Sequence, residues 1–105
     1  MKVEIIPCLS DNYSYLISDK ETNTISIVDP SEFGACDEVI KKYNKLDYIL
    51  NTHHHFDHID GNLKLKDKYN SKIIGFKKDE DRIPGIDISL KDNQKFKIGN
   101  LKFKI

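Results

Sequence analysis

All four histidines of this 105-residue chain fall within one stretch, as His53, His54, His55 and His58, with Asp57 among them. A short apolar run over residues 47–50 leads directly into the cluster, and Ile59 and Leu63 follow it one helical turn apart in a segment ending near Tyr69-Asn70. The order is therefore strand, histidine loop, helix. In an extended segment alternate side chains share a face, so His53 and His55 can chelate one ion while Asp57 and His58 reach a second beside it. Imidazole nitrogen suits zinc, iron and manganese, and a carboxylate adds hard-ligand character. A histidine tag would be terminal and uninterrupted, whereas this run is internal and carries Phe56 and Asp57. The spacing His-x-His-x-Asp-His reads as half of a two-metal site.

The remainder of the chain sets a scaffold around that loop. Residues 3–6 form a short β-prone run ended by Pro7, and residues 13–18 alternate Tyr13, Tyr15 and Ile17 against Ser14, Leu16 and Ser18. After a polar turn over residues 19–23, a β-branched run over residues 24–28 stops at Asp29-Pro30, so an antiparallel meander is expected. Over residues 37–43 the period changes, with Val39, Ile40 and Tyr43 on one stripe of an amphipathic helix. Residues 72–76 read as a further strand, and residues 77–93 as a polar, Pro- and Gly-punctuated connection without an assigned element. The last two runs, residues 95–98 and 101–105, alternate strictly around Gly99-Asn100. That pattern predicts a two-residue hairpin with Ile98 opposite Leu101 and Phe96 opposite Phe103. Ile105 ends the chain in mid-strand, which predicts an α/β layer architecture incomplete at its C-terminus. An uncovered apolar hairpin face would make the isolated chain marginal or self-associating.

Composition narrows the functional classes. Acidic and basic residues balance at 17 each, and Arg82 is the only arginine, so neither a general electrostatic field nor bidentate guanidinium recognition favours nucleic acid or an anionic membrane as partner. Cys8 and Cys36 form no CxxC pair and are too few for a disulfide framework, which fits a reduced, cytoplasmic compartment. No apolar run approaches the ~20 residues of a membrane-spanning helix, and the first residues lack a signal-peptide core.

The segment Ile6-Pro7-Cys8-Leu9-Ser10-Asp11-Asn12-Tyr13-Ser14-Tyr15-Leu16 is similar to the opening half of glyoxalase II, the hydroxyacylglutathione hydrolases of the metallo-β-lactamase superfamily. So are Val28-Asp29-Pro30, the Thr52-His53-His54-His55-Phe56-Asp57-His58 motif, Gly61-Asn62 and Asp81-Arg82-Ile83-Pro84-Gly85-Ile86, so the resemblance spans essentially the whole chain. It implies a metallo-β-lactamase-like αββα sandwich, with residues 1–105 forming the N-terminal part of a single domain. It also implies His53 and His55 as ligands to a first metal, Asp57 and His58 as ligands to a second, and His54 as a non-ligand neighbour. Asp29 would orient a ligand histidine, against the plainer reading of an Asp-Pro turn. The implied cofactor is a zinc pair, with iron or manganese as alternatives. The implied reaction is hydrolysis of S-D-lactoylglutathione to D-lactate and glutathione, a step of methylglyoxal detoxification. The family's later landmarks, a third metal-binding histidine segment, a bridging aspartate and a glutathione-binding region, have no counterpart in these residues. A complementing C-terminal chain is then an expected partner. A catalytically inactive metal-binding fragment or subunit is the rival reading.

Overall fold

The computed structural model describes residues 2–8, 12–52, 56–91 and 94–104, with the side chains of residues 12, 56–60, 82, 101, 103 and 104 outside that description. Three antiparallel strands open the chain: β1 (Lys2–Cys8), β2 (Asn12–Asp19) and β3 (Thr24–Val28). The meander expected from the sequence is thus present. Pro7 does not end β1 but pairs opposite Tyr13 within it. On an edge strand, a residue without an N–H can leave its open side toward solvent and costs no ladder bond there.

From β3 onward the pairing turns parallel, through β4 (Tyr48–Leu50), β5 (Lys72–Phe76) and β6 (Ile86–Leu90), giving a six-stranded mixed sheet in sequence order. Parallel neighbours require crossovers. Helix α1 (Phe33–Ile40) supplies the first and α2 (Phe56–Tyr69) the second. The sequence places the first helix over residues 37–43, but the helix begins four residues earlier. It gives way to a turn at residues 41–44, where Asn44 adopts the left-handed conformation at φ 60°. Tyr43 still packs on the core, because the amide donates back to the Ile40 carbonyl at 2.9 Å and carries its ring along the same stripe. The unassigned connection holds a 3-10 segment (Lys77–Arg82) and β6.

Both helices lie on one face. Cys36, Ile40 and Leu65 meet Ile6, Cys8, Leu16, Ile25, Ile27, Ile49 and Ile73 in the main core. In β2 the inward side chains are Ser14, Leu16 and Ser18, while Tyr13 and Tyr15 face solvent. On the other face a separate hairpin, β7 (Lys95–Ile98) and β8 (Leu101–Lys104), pairs Ile98 with Leu101 and Phe96 with Phe103 in the expected register. Of the apolar hairpin side chains that are described, Ile98 is buried against Ile74 and Leu90, with Tyr48, Leu50, Ile88 and Phe96 around it, while Leu101, Phe103 and Ile105 lie outside the description. The hairpin turn is anchored where the Asn100 amide donates to the Asp19 carboxylate at 2.8 Å. Among the described residues the exposed large apolar side chains are Val3, Ile5, Tyr13 and Tyr15 on β1 and β2, with Ile5 63% exposed, and Leu63 on α2.

Candidate metal centre

In an open sheet with parallel strands, ligands gather beyond the carboxyl ends of those strands. Here β3 ends at Val28 and β4 at Leu50, side by side in register, so Asp29 and Asn51-Thr52 leave the sheet at one edge. The Asp29 amide continues the ladder by donating to the Leu50 carbonyl at 2.8 Å, and the Asn51 amide does the same toward Ile74 at 2.9 Å. The chain then enters the histidine cluster.

Asp29 sits in the left-handed region at φ 49°, where a short polar side chain is tolerated far better than a branched one. From that backbone its carboxylate turns across to the β4 exit. One oxygen accepts the Thr52 amide at 2.8 Å, and the other accepts the Thr52 hydroxyl. Charge-assisted bonds of this kind are about twice as strong as neutral ones, so they fix the residue that precedes His53. Asp29 is itself held from behind. The fully buried Ser14 hydroxyl donates to the Asp29 carbonyl at 2.7 Å and accepts the Ser31 amide at 3.3 Å, and the Cys8 sulfur lies 3.3 Å from it. The carboxylate thus links the β3 exit to Thr52 at the β4 exit.

Helix α2 is drawn onto the same edge from the other side. A Cβ added at Gly61 would lie 2.7 Å from the Pro30 carbonyl oxygen, so only glycine lets the first turns of α2 approach the β3 exit this closely. One residue further on, Asn62 exchanges amide hydrogen bonds with Asn51: Asn62 Nδ2 donates to Asn51 Oδ1 at 2.6 Å, and Asn51 Nδ2 donates to Asn62 Oδ1 at 3.3 Å.

Of the residues the sequence singles out, Asp29 is placed by these contacts. His53, His54 and His55 lie outside the described residues, and Asp57 and His58 are described only as backbone in the first turn of α2. Among the described side chains no group of three or more His, Cys, Asp or Glu residues could hold a metal ion. The donor set of the intervening segment nevertheless suits a divalent metal, since three imidazoles and one carboxylate at His53, His55, His58 and Asp57 are borderline-to-hard ligands. Sequence reasoning passed over Asn51, and noted Ser14 and Asn62 only as parts of longer motifs. A serine on the buried face of a strand, and an asparagine directly after an apolar one, were the available signals.

Residues 10–91 match the family described as the metallo-beta-lactamase superfamily. Along its entire length the chain is 49% identical to the hydroxyacylglutathione hydrolase of Pelagibacter ubique (strain HTCC1062) and covers 44% of that protein. The enzyme of the same name from Methylococcus capsulatus (strain ATCC 33009 / NCIMB 11132 / Bath) is 42% identical over 90% of this chain, which covers 38% of it. The chain thus spans less than half the length of these curated relatives. Among solved structures, the B3 metallo-beta-lactamase BLEG-1 superposes with a TM-score of 0.80 at 21% identity, over 98% of this chain and 59% of that one. ETHE1 from Myxococcus xanthus gives 0.78 at 20% identity, over 99% and 47%. These likenesses show the fold: the α/β architecture expected from the sequence, as the N-terminal portion of the larger sandwich.

Proposed function

Since this chain belongs to the metallo-β-lactamase superfamily, we propose that it forms the N-terminal part of a metal-dependent hydroxyacylglutathione hydrolase acting in the cytoplasm on S-D-lactoylglutathione. The observation that carries the reading is the 49% identity, over the whole chain, to a protein of that name. The reaction adds water across the thioester and yields D-lactate and glutathione, the closing step of methylglyoxal detoxification.

Within it, His53 and His55 would hold one zinc ion and Asp57 and His58 a second, with His54 outside the ligand set. The metal pair, when bound, lowers the pKa of a water toward neutrality and polarises the thioester carbonyl. The protein's own part is to fix the loop that presents these donors. Asp29 clamps both hydrogen-bond donors of Thr52, and Ser14 holds the Asp29 backbone in place. A thiol leaving group with a pKa near ~8.5 departs as thiolate, so no strong general acid is demanded of the chain.

The test is hydrolysis of S-D-lactoylglutathione by the full-length protein loaded with Zn²⁺, against a His53→Ala, Asp57→Ala double variant. Turnover of ~1 s⁻¹ or more, lost in the double variant, is expected. Turnover no faster than that of the double variant would remove the proposal.

A further inference from the structure

The segment that carries the proposed metal ligands is bracketed by one buried side-chain pair. Asn51 is 5% exposed and Asn62 2% exposed, they stand 11 residues apart in sequence, and their carboxamides bond each other reciprocally. Asn51 is fixed to the sheet by its amide bond to the Ile74 carbonyl, and Asn62 lies in α2 beside the glycine that touches the Pro30 backbone. Every residue between them belongs to the strand exit, the histidine cluster or the first turns of α2. A carboxamide offers a donor and an acceptor on one planar, uncharged group, so two of them close this ring with both bonds satisfied and no buried charge. A carboxylate at either position would face one acceptor with another. An apolar residue at one position would strand the other amide in a dry interior.

We propose that Asn51 and Asn62 act as a latch that holds the two ends of the metal segment at a fixed separation, and are thereby positioning residues for the metal ligands. The inference rests on the metal reading of His53, His55, Asp57 and His58. Fold stability alone does not call for a polar pair at this place, since well-packed apolar residues of similar size would close an interior without needing partners. A latch sets the geometry of what lies between its ends, and supporting hydrogen bonds around metal ligands typically govern affinity by 10–100-fold.

The test is a Zn²⁺ competition titration against a chromophoric chelator on the full-length protein, with thermal unfolding of the metal-free form recorded on the same samples. Asn51→Ala and Asn62→Ala are each expected to weaken Zn²⁺ binding about tenfold or more. The double variant should be no weaker than the worse single one, because either loss opens the same ring. Ile25→Ala, in the core near the far end of β3, should lower the unfolding temperature and leave the Zn²⁺ affinity unchanged. Should an alanine variant fail to fold, Asn62→Asp keeps the side-chain size and one of the two bonds, and is expected to lose affinity likewise. Affinities equal to the parent's, or single losses that multiply in the double variant, would overturn the latch. A parent that binds no Zn²⁺ more tightly than its own His55→Ala variant would overturn the metal reading beneath it.

Discussion

Cys36 is fully buried between α1 and the sheet, and that burial pushes its thiol up to about 12. At pH 8 only about one molecule in ten thousand then carries the thiolate, which is the reactive form. Its neighbour Cys8 lies 3.8 Å away, sulfur to sulfur, and both are free thiols. A thiol-alkylating reagent at pH 8 is therefore expected to modify Cys36 only as fast as the fold opens, with the rate climbing as denaturant is added. Peptide mass spectrometry over a time course checks this. Rapid stoichiometric labelling of Cys36 without denaturant would show that the α1 interface opens in the native state. At this scale the sequence was legible for residues whose type alone restricts their chemistry, the histidine cluster above all. It was not legible for the contact between Asp29 and Thr52, because nothing in Val28-Asp29-Pro30 states which strand end lies within reach of the carboxylate. The parallel register of β3 and β4 sets Thr52 within its reach. Ser14 was obscured in a different way: in β2 the aromatic side chains point outward and the small polar ones inward, against the usual sense of amphipathic alternation.

Elements with sharp local chemistry were read closely. The strands at Thr24–Val28 and Lys72–Phe76 have the bounds their β-branched runs imply, and Gly99 at φ 58° supplies the left-handed turn that fixed the hairpin register in advance. Helix α1 was misplaced because its first turn, Phe33-Gly34-Ala35-Cys36, has no polar face to set against an apolar one. Strand β6 alternates Ile86, Ile88 and Leu90 with Asp87 and Ser89, yet it was hidden by the charged 3-10 segment and the Pro84-Gly85 turn before it. The same scale carries a prediction about α2. An alanine inside a helix is ordinarily worth about 1 kcal/mol over glycine. At Gly61 the added methyl would sit 2.7 Å from a backbone carbonyl that cannot swing aside as a side chain would, and overpacking of this kind costs roughly 1–3 kcal/mol. The steric term exceeds the propensity term. Gly61→Ala is expected to destabilise, measured as a shift in the urea midpoint with an unchanged slope. A stabilised Gly61→Ala protein would mean that the α2 entrance does not press on Pro30.

As a whole the chain packs tightly, with a radius of gyration of 12.7 Å against the ~13 Å usual for about 100 residues. One face of its sheet is sealed by two helices, the other only in part, by the hairpin over Ile74 and Leu90. The metal complement follows from the same partial inventory. His53, His55, Asp57 and His58 are four candidate donors, and a catalytic zinc ordinarily takes about three from the protein and completes its shell with water. Two tightly held ions would want about six, so residues 1–105 by themselves can satisfy one site and leave a second short of ligands. The 105-residue chain is thus expected to retain about one equivalent of Zn²⁺ after gel filtration. Elemental analysis alongside a protein assay decides it, with His55→Ala as the control. Two tight equivalents on residues 1–105, both lost in His55→Ala, would show that this chain draws further ligands from its own surface, and the four-donor count would have to be extended.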